Sequence, residues 1–489
     1  MPAPAIMRGR RFSVLAFAVL ALAAFNLTYR VGNESLTEWD ESLYATSAFE
    51  MLESGNWIVT TFDGAADYYN SKPPLNVWLI ALSLNAFGPS LAAMRAPSII
   101  AAWLTIGVLL WWSKRRFGPH VALFACMVLA TCFGFLHVHS GRTDNPDALL
   151  ALFFLLIAIT LDLSSDRPWR RIWLGPLFAG VFLLKGMAIM MPLLLVVIVE
   201  ARRTFDARRR WLPLAAASAL FVVPALAWAI PRWQADGWMF FDKMFFQDFV
   251  ALSTTVQDNQ NRSELFYLNI LIKHHYDWII AAITVVILFP PASWGVVRRS
   301  LAFWRSHDDR VWVLGFWSAI ALLIPMAMRT NLPWYINPLY PMFALGVGWL
   351  LAYGFSGQPA PPHHRTLLIA MVVMAATLAE GKLIWYSYNY RALERSSQGL
   401  LLAESNRLRG ARVFGQWDRA DAIVLKGIVR AKTAAAVNVD DFLEHSSPGD
   451  YLVLPSGMDH DGLIELARNG RHTLYRRDEK STARRDEAR

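Results

Sequence analysis

Residues 39–74 read WDESLYATSAFEMLESGNWIVTTFDGAADYYNSKPP, the first long polar interval after an apolar one. Adjacent carboxylates, Asp40 and Glu41, open it, and Lys72 ahead of Pro73-Pro74 closes it. Ionisable groups at a membrane edge are costly to desolvate, so a cluster of them marks a functional site by default. The plainer alternative is a solvated loop in which Asp40 opens a helix, because acids are favoured in the first turn. Which reading holds depends on whether the flanks are membrane spans.

Composition says that they are. Of 489 residues, 55% are hydrophobic and only 17% charged, and the mean hydropathy is +0.31. Soluble domains carry roughly a quarter charged residues. A net charge of +9 would suggest a nucleic-acid partner in a soluble protein. Here the bases fall in short runs between apolar spans, the positive-inside pattern, and no nucleic acid is expected. Cys126 and Cys132 share one apolar span, so neither a disulfide framework nor a zinc knuckle is built from them.

A bilayer core needs ~17–25 apolar residues per crossing helix. Eleven such spans are expected near 12–30, 96–112, 120–138, 148–163, 172–187, 188–201, 212–231, 279–297, 311–328, 339–355 and 366–385. The N-terminal segment mimics a signal peptide. Further spans follow and no small-residue cleavage site precedes Asn33, so a retained first helix is expected. Basic runs at Arg8–Arg11, Lys114–Arg116, Arg167–Arg171, Arg202–Arg210 and Arg298–Arg310 alternate with acidic, aromatic and Pro-rich loops. The alternation puts the N-terminus inside and the motif loops outside, and an odd count puts the C-terminus outside. Leu75–Phe87 is too short to cross and is expected to be an interfacial or re-entrant helix begun by Pro73-Pro74.

The expected fold class is therefore an all-α polytopic membrane protein of about 11 transmembrane helices with a small C-terminal extracytoplasmic α/β domain. The transmembrane domain would run over 1–385, with external loops at 31–95 and 232–278. The α/β domain would cover 386–475, where short helical and strand-like pieces alternate, and a charged tail without apolar period would cover 476–489.

The DE…Y opening and the KPPL close of the quoted stretch resemble the first extracytoplasmic loop of the GT-C glycosyltransferases. The similarity is to the bacterial aminoarabinose transferase (ArnT-like) and protein O-mannosyltransferase group, and it covers roughly residues 35–350. The resemblance implies a base at Asp40, with Glu41 beside it. Leu43 stands where the family often has Arg. Lys72 would meet the lipid phosphate, accompanied by Tyr69 and Tyr68. In HVHSGRTDNPDALLALFF the family's acid before ALL falls best on Asp147 and less well on Asp144, beside Arg142. Such acids could hold a divalent metal ion or orient the sugar, or merely cap the next helix. Lys185 in FLLKGMAIMMP resembles a TKG turn with Leu184 in place of threonine. Arg329 and Tyr335 in MRTNLPWYINPLYP resemble K-x-K-LPWY, with Asn331 in the second basic place. Asp248 and Arg262 flank a run resembling the family's longer loop. His137 and His139 are read as interface residues, and His274, His275 and Asp277 precede Trp278.

The implied activity is transfer of a sugar from a polyprenyl-phosphate donor to a glycan, lipid or protein acceptor outside the cytoplasm, in a multi-pass enzyme of the bacterial inner membrane. No Walker or dinucleotide loop is present, so no nucleotide cofactor is expected. A secondary transporter or lipid flippase would share the topology. The lack of an internal repeat and the placement of charges in loops speak against it.

Overall fold

The computed structural model describes residues 9–203, 207–257, 263, 265–290, 309–356, 361–456 and 462–478. They form two compact units. The first holds residues 1–29, 67–76 and 97–384, and the second 30–66, 77–96 and 385–489.

The first unit is helical because a chain in hydrocarbon must satisfy its own N–H and C=O groups, which a helix does locally. Among the described residues eight stretches are long and apolar enough to cross a bilayer. The count falls short of the eleven expected spans for identifiable reasons. Expected spans 172–187 and 188–201 lie in one 35-residue stretch, Pro168–Arg202, that folds back on itself. Its limbs, Leu174–Lys185 and Met190–Arg202, meet at Gly186, whose φ of +47° suits glycine. Arg171, ahead of the first limb, donates to Glu200 near the end of the second at 2.8 Å. Both limb ends therefore meet at one end of the unit. Expected span 120–138 is broken at Thr131-Cys132 into Pro119–Ala130 and Phe133–His137. Expected span 311–328 survives as the shorter apolar Trp312–Ala327.

The basic residues gather at one end. Lys114 lies 4.0 Å over the Phe12 ring, Arg116 pairs with Asp162 at 2.7 Å, and Arg202 sits 3.8 Å over Trp312. Helices Pro119–Ala130 and Tyr340–Phe355 approach closely at Gly348, where a Cβ would stand 2.4 Å from the Ala125 nitrogen. One expected boundary is wrong. The span placed at 279–297 is a helix over Phe266–Leu288, because FYLNILIK already continues the apolar run, with a kink at His275. Residues 291–308 lie outside the described residues.

The second unit corrects the expected domain division, for it unites most of the first loop with the C-terminal residues. Leu75–Phe87 does not cross, yet it is not simply laid in an interface. Val77, Ile80, Ala81 and Leu84 bury against Tyr44, Ala48 and Met51 and against Leu400, Leu401, Val424 and Leu425. An apolar helix face finds protein there in place of lipid. A two-residue hairpin (β1 Thr61–Phe62, β2 Ala65–Ala66) leads out of helix Asp40–Ser54. The C-terminal part is a five-stranded mixed sheet of β3 (Arg412–Gly415), β4 (Lys432–Ala435), β5 (Tyr451–Pro455), β6 (Leu463–Arg468) and β7 (His472–Arg477) in the order β4-β3-β5-β7-β6. β4-β3-β5 are parallel and β5-β7-β6 antiparallel. The expected tail starts two residues too early, since β7 runs through Arg477; residues 479–489 lie outside the described ones.

Candidate active site

Four sequence motifs meet in the first unit. Asp147 opens the helix Asp147–Ser164 and is 2% exposed; its Oδ1 accepts from Lys185 Nζ at 2.7 Å. Lys185 ends its helical limb at the Gly186 turn, where a Cβ would meet Met244 Sδ at 2.8 Å and stand in ordinary contact, 3.5 Å, with Pro73 Cδ. The KPP motif is thereby set beside the KG motif. Lys72 donates to Asn70 Oδ1 at 3.2 Å. Lys185 Nζ stands 6.0 Å from the centre of the Tyr335 ring. The Tyr335 hydroxyl lies within electrostatic reach of Lys72, Tyr267, Asp248 and Asp147.

Neighbouring side chains hold this arrangement. Asp67 Oδ1 accepts from the Tyr69 and Asn70 N–H groups at 2.9 and 3.0 Å, an Asx turn that bends the chain toward Lys72. Tyr68 bonds the Asp236 carboxylate; burial first, then that charge, hold its phenol above the ordinary value. Tyr69 is exposed. Asn76 Nδ2 donates to the Asp144 carbonyl at 2.8 Å and ties the KPPL motif to the DNPDALL turn. His139, at φ +53°, stacks on Trp334 with ring centres 3.6 Å apart.

The structure moves three expected site residues to other tasks or places. Arg142 is 1% exposed and caps the first membrane helix, donating to the Asn26 and Tyr29 carbonyls. A guanidinium used this way is a structural clamp, not a substrate ligand. Asp144 is buried and offers its main-chain carbonyl to Asn76. Arg329 is exposed, forms no ion pair among the described residues, and is held through its N–H to the Ser253 carbonyl at 3.2 Å. Arg262 lies outside the described residues. His274 and Asp277 belong to a separate cluster with Lys382, which donates to Asp277 at 2.9 Å.

The acidic pair lies in the second unit, and the two neighbours differ sharply. Asp40 is half-buried at the start of helix Asp40–Ser54. Glu41 is wholly buried and accepts from Arg95 Nε at 3.1 Å, from the Thr37 N–H at 2.9 Å and from Arg391. Burial alone would raise this carboxyl, but Arg391 and Arg95 outweigh it and hold it at about 2. Arg95 also donates to the Val31 and Glu34 carbonyls at 2.7 and 2.8 Å. Glu41 is thus a folding residue and is corrected as a candidate base. Arg95 and Arg391 carried no motif that sequence reasoning could use.

A stability effect follows from this. Glu41→Gln leaves the buried Arg95 guanidinium and the partly buried Arg391 without their anion, and breaking a buried pair costs about 3–5 kcal/mol. Thermal unfolding should therefore fall far more for Glu41→Gln than for Asp40→Asn. With a folded value below the ordinary 4.5, the Glu41 contribution is complete above about pH 4.5 and drains away as pH falls toward about 2. A glutamine variant unfolding at the parent temperature at pH 7 would contradict the assignment.

Among the described residues no group of three or more His, Cys, Asp or Glu side chains could hold an ion, and Asp147 is taken by Lys185.

Comparison with known proteins gives consistent findings. Residues 71–228 match the family described as dolichyl-phosphate-mannose-protein mannosyltransferase. An undecaprenyl phosphate-alpha-4-amino-4-deoxy-L-arabinose arabinosyl transferase of Pseudomonas paraeruginosa is 30% identical over 346 residues, covering 68% of this chain and 59% of that protein. The transferase of the same description from Pseudomonas savastanoi is 28% identical over 417 residues, covering 81% and 74%. This chain thus spans about 59% of the length of the first of these relatives. The crystal structure of ArnT from Cupriavidus metallidurans bound to undecaprenyl phosphate superposes with a TM-score of 0.67 at 16% identity, covering 96% of this chain and 98% of that one. The chain is similar in sequence to these transferases, and its fold is that of the ArnT structure.

Proposed function

We propose that this protein is a membrane glycosyltransferase that moves a sugar from a polyprenyl-phosphate donor to an acceptor on the extracytoplasmic face of the bacterial inner membrane. The observation that carries the reading is the convergence of Lys72 and Lys185 around Tyr335 beside Asp147. An ammonium has three donors. Asp147 takes one from Lys185 and keeps that cation oriented, leaving the others for phosphate oxygens. In the transfer an acceptor oxygen attacks the anomeric carbon and the bond from that carbon to the phosphate oxygen breaks. The proton of an acceptor hydroxyl passes to a carboxylate, and the polyprenyl phosphate leaves with added negative charge. Fixed cations aimed at that developing charge are the largest stabilising effect such a site offers. The base is assigned to Asp40, since Glu41 is neutralised by two arginines.

The acceptor class is proposed from the relatives. The first reading is a lipid or envelope glycan, such as lipid A. The family matched over 71–228 favours protein O-mannosylation as a second reading. Purified protein given polyprenyl-phosphate sugars should release polyprenyl phosphate only when an acceptor is present. Supplying a lipid glycan or a Ser/Thr-rich peptide in turn decides between the two. Movement of the lipid-linked sugar across vesicles without release of polyprenyl phosphate would indicate a flippase and sink the proposal.

A further inference from the structure

The helix Asp147–Ser164 places Asp147 at one end and a second charged cluster, around Asp162, near the other, ~23 Å away at 1.5 Å per residue. In that second cluster the carboxylates are already engaged. Asp162 accepts from Arg116 Nε at 2.7 Å and Trp112 Nε1 at 2.8 Å, and Asp166 lies 3.8 Å from Arg116. Glu200 accepts from Arg171 at 2.8 Å and from Arg203. Two further cations flank a groove beside these pairs. Arg115 and Arg170 form no ion pair among the described residues, and both line a groove of about 260 Å³ with Trp111, Thr160, Leu163 and Trp173. The Arg115 guanidinium lies 5.6 Å from the Trp111 ring centre, and Arg170 donates to the Leu163 carbonyl at 3.2 Å, which fixes its head. Trp111 and Trp173 are 47% and 63% exposed.

We propose that this groove binds the phosphodiester headgroup of an anionic diacyl phospholipid. The chemistry selects that ligand. Two uncompensated guanidinium groups and the Thr160 hydroxyl suit a phosphate, and arginine pairs with phosphate through two parallel N–H donors. Exposed tryptophans at the end of apolar helices are placed where headgroups meet acyl chains. Basic pockets between membrane helices recognise anionic headgroups. A free phosphate would leave the two exposed rings unused, and a zwitterionic lipid would leave the two charges uncompensated. The site lies at the opposite end of the Asp147 helix from the sugar-transfer cluster, and the proposal does not depend on the transfer reaction.

The test uses the full chain in detergent micelles carrying phosphatidylglycerol or phosphatidylcholine. Retained lipid is read by native mass spectrometry and melting temperature by intrinsic fluorescence. Phosphatidylglycerol should be retained and raise the melting temperature, and phosphatidylcholine should do neither. Arg115→Gln and Arg170→Gln should each weaken retention about fivefold, since a basic residue near an anionic surface contributes ~1 kcal/mol. Arg115 is exposed, so its variant folds even if loss of the Arg170 bond to Leu163 does not allow that one to. Arg167→Gln, exposed on the same loop but off the groove, should leave retention unchanged. Equal binding of phosphatidylcholine, equal competition by glycerol phosphate, or parental retention by Arg115→Gln would each overturn the proposal.

Discussion

Asp40→Asn is expected to lower turnover by roughly 10²- to 10⁴-fold, the usual range for loss of a general base. Expression, melting temperature and donor binding should change little. Asp40 is half-buried at a helix start, and Glu41 is held by Arg95 and Arg391. The amide keeps the size of the side chain, exchanges one acceptor oxygen for an NH2 donor, and removes the charge and the ability to take a proton. Glu41→Gln should show the reverse profile: poor folding, and in whatever fraction folds, a rate near that of the parent. Steady-state release of polyprenyl phosphate, normalised to folded protein, separates the two. A fully active Asp40→Asn enzyme would remove the base from this loop and refute that part of the mechanism.

The second large effect is expected at the lysine pair. Lys72→Ala and Lys185→Ala should each weaken use of the donor by about ten- to a hundredfold, because a charge-assisted hydrogen bond contributes roughly 1.5–3 kcal/mol. Their stabilities should differ. Lys185→Ala leaves Asp147, 2% exposed, without its cation and should lower the melting temperature. Lys72 sits on a loop already bent by Asp67, so its loss should spare the fold. Lys72→Arg should restore donor use only in part, since a forked guanidinium does not occupy the place of a point ammonium. Arg329→Ala serves as the contrast: exposed and bonded through its backbone, it should change donor affinity by less than either lysine. Binding of polyprenyl phosphate to these variants measures all of this. Parental affinity in both lysine variants would move the phosphate elsewhere.

Much of the site was legible because motifs are local. The KPP, DALL, FLLKG and LPWY segments each carry their chemistry in a few consecutive residues, and Lys72, Asp147, Lys185 and Tyr335 could be named from those alone. Asp67, Asn76, Arg95, Asp236 and Arg391 could not. Their roles are bonds to residues far off in the chain, such as Asn76 to the Asp144 carbonyl or Arg391 to Glu41. Arg142 misled for the same reason: its residue type suits an anion, but two carbonyls of the first helix reach it first.

Hydropathy and charge along the chain determined the helical membrane architecture and the presence of a C-terminal α/β part. Those properties depend on composition over windows of about twenty residues. Tertiary structure alone decided what each helix face and each charge would meet. Leu75–Phe87 is apolar enough for a lipid interface, yet it buries Val77, Ile80 and Leu84 against Leu400 and Leu401. Asp40 and Glu41 are adjacent and chemically alike. Burial between Arg95 and Arg391 makes one a fixed anion of the fold while the other stays half-exposed at the helix start, because the cost and the compensation of a buried charge are set by neighbours that sequence order does not specify.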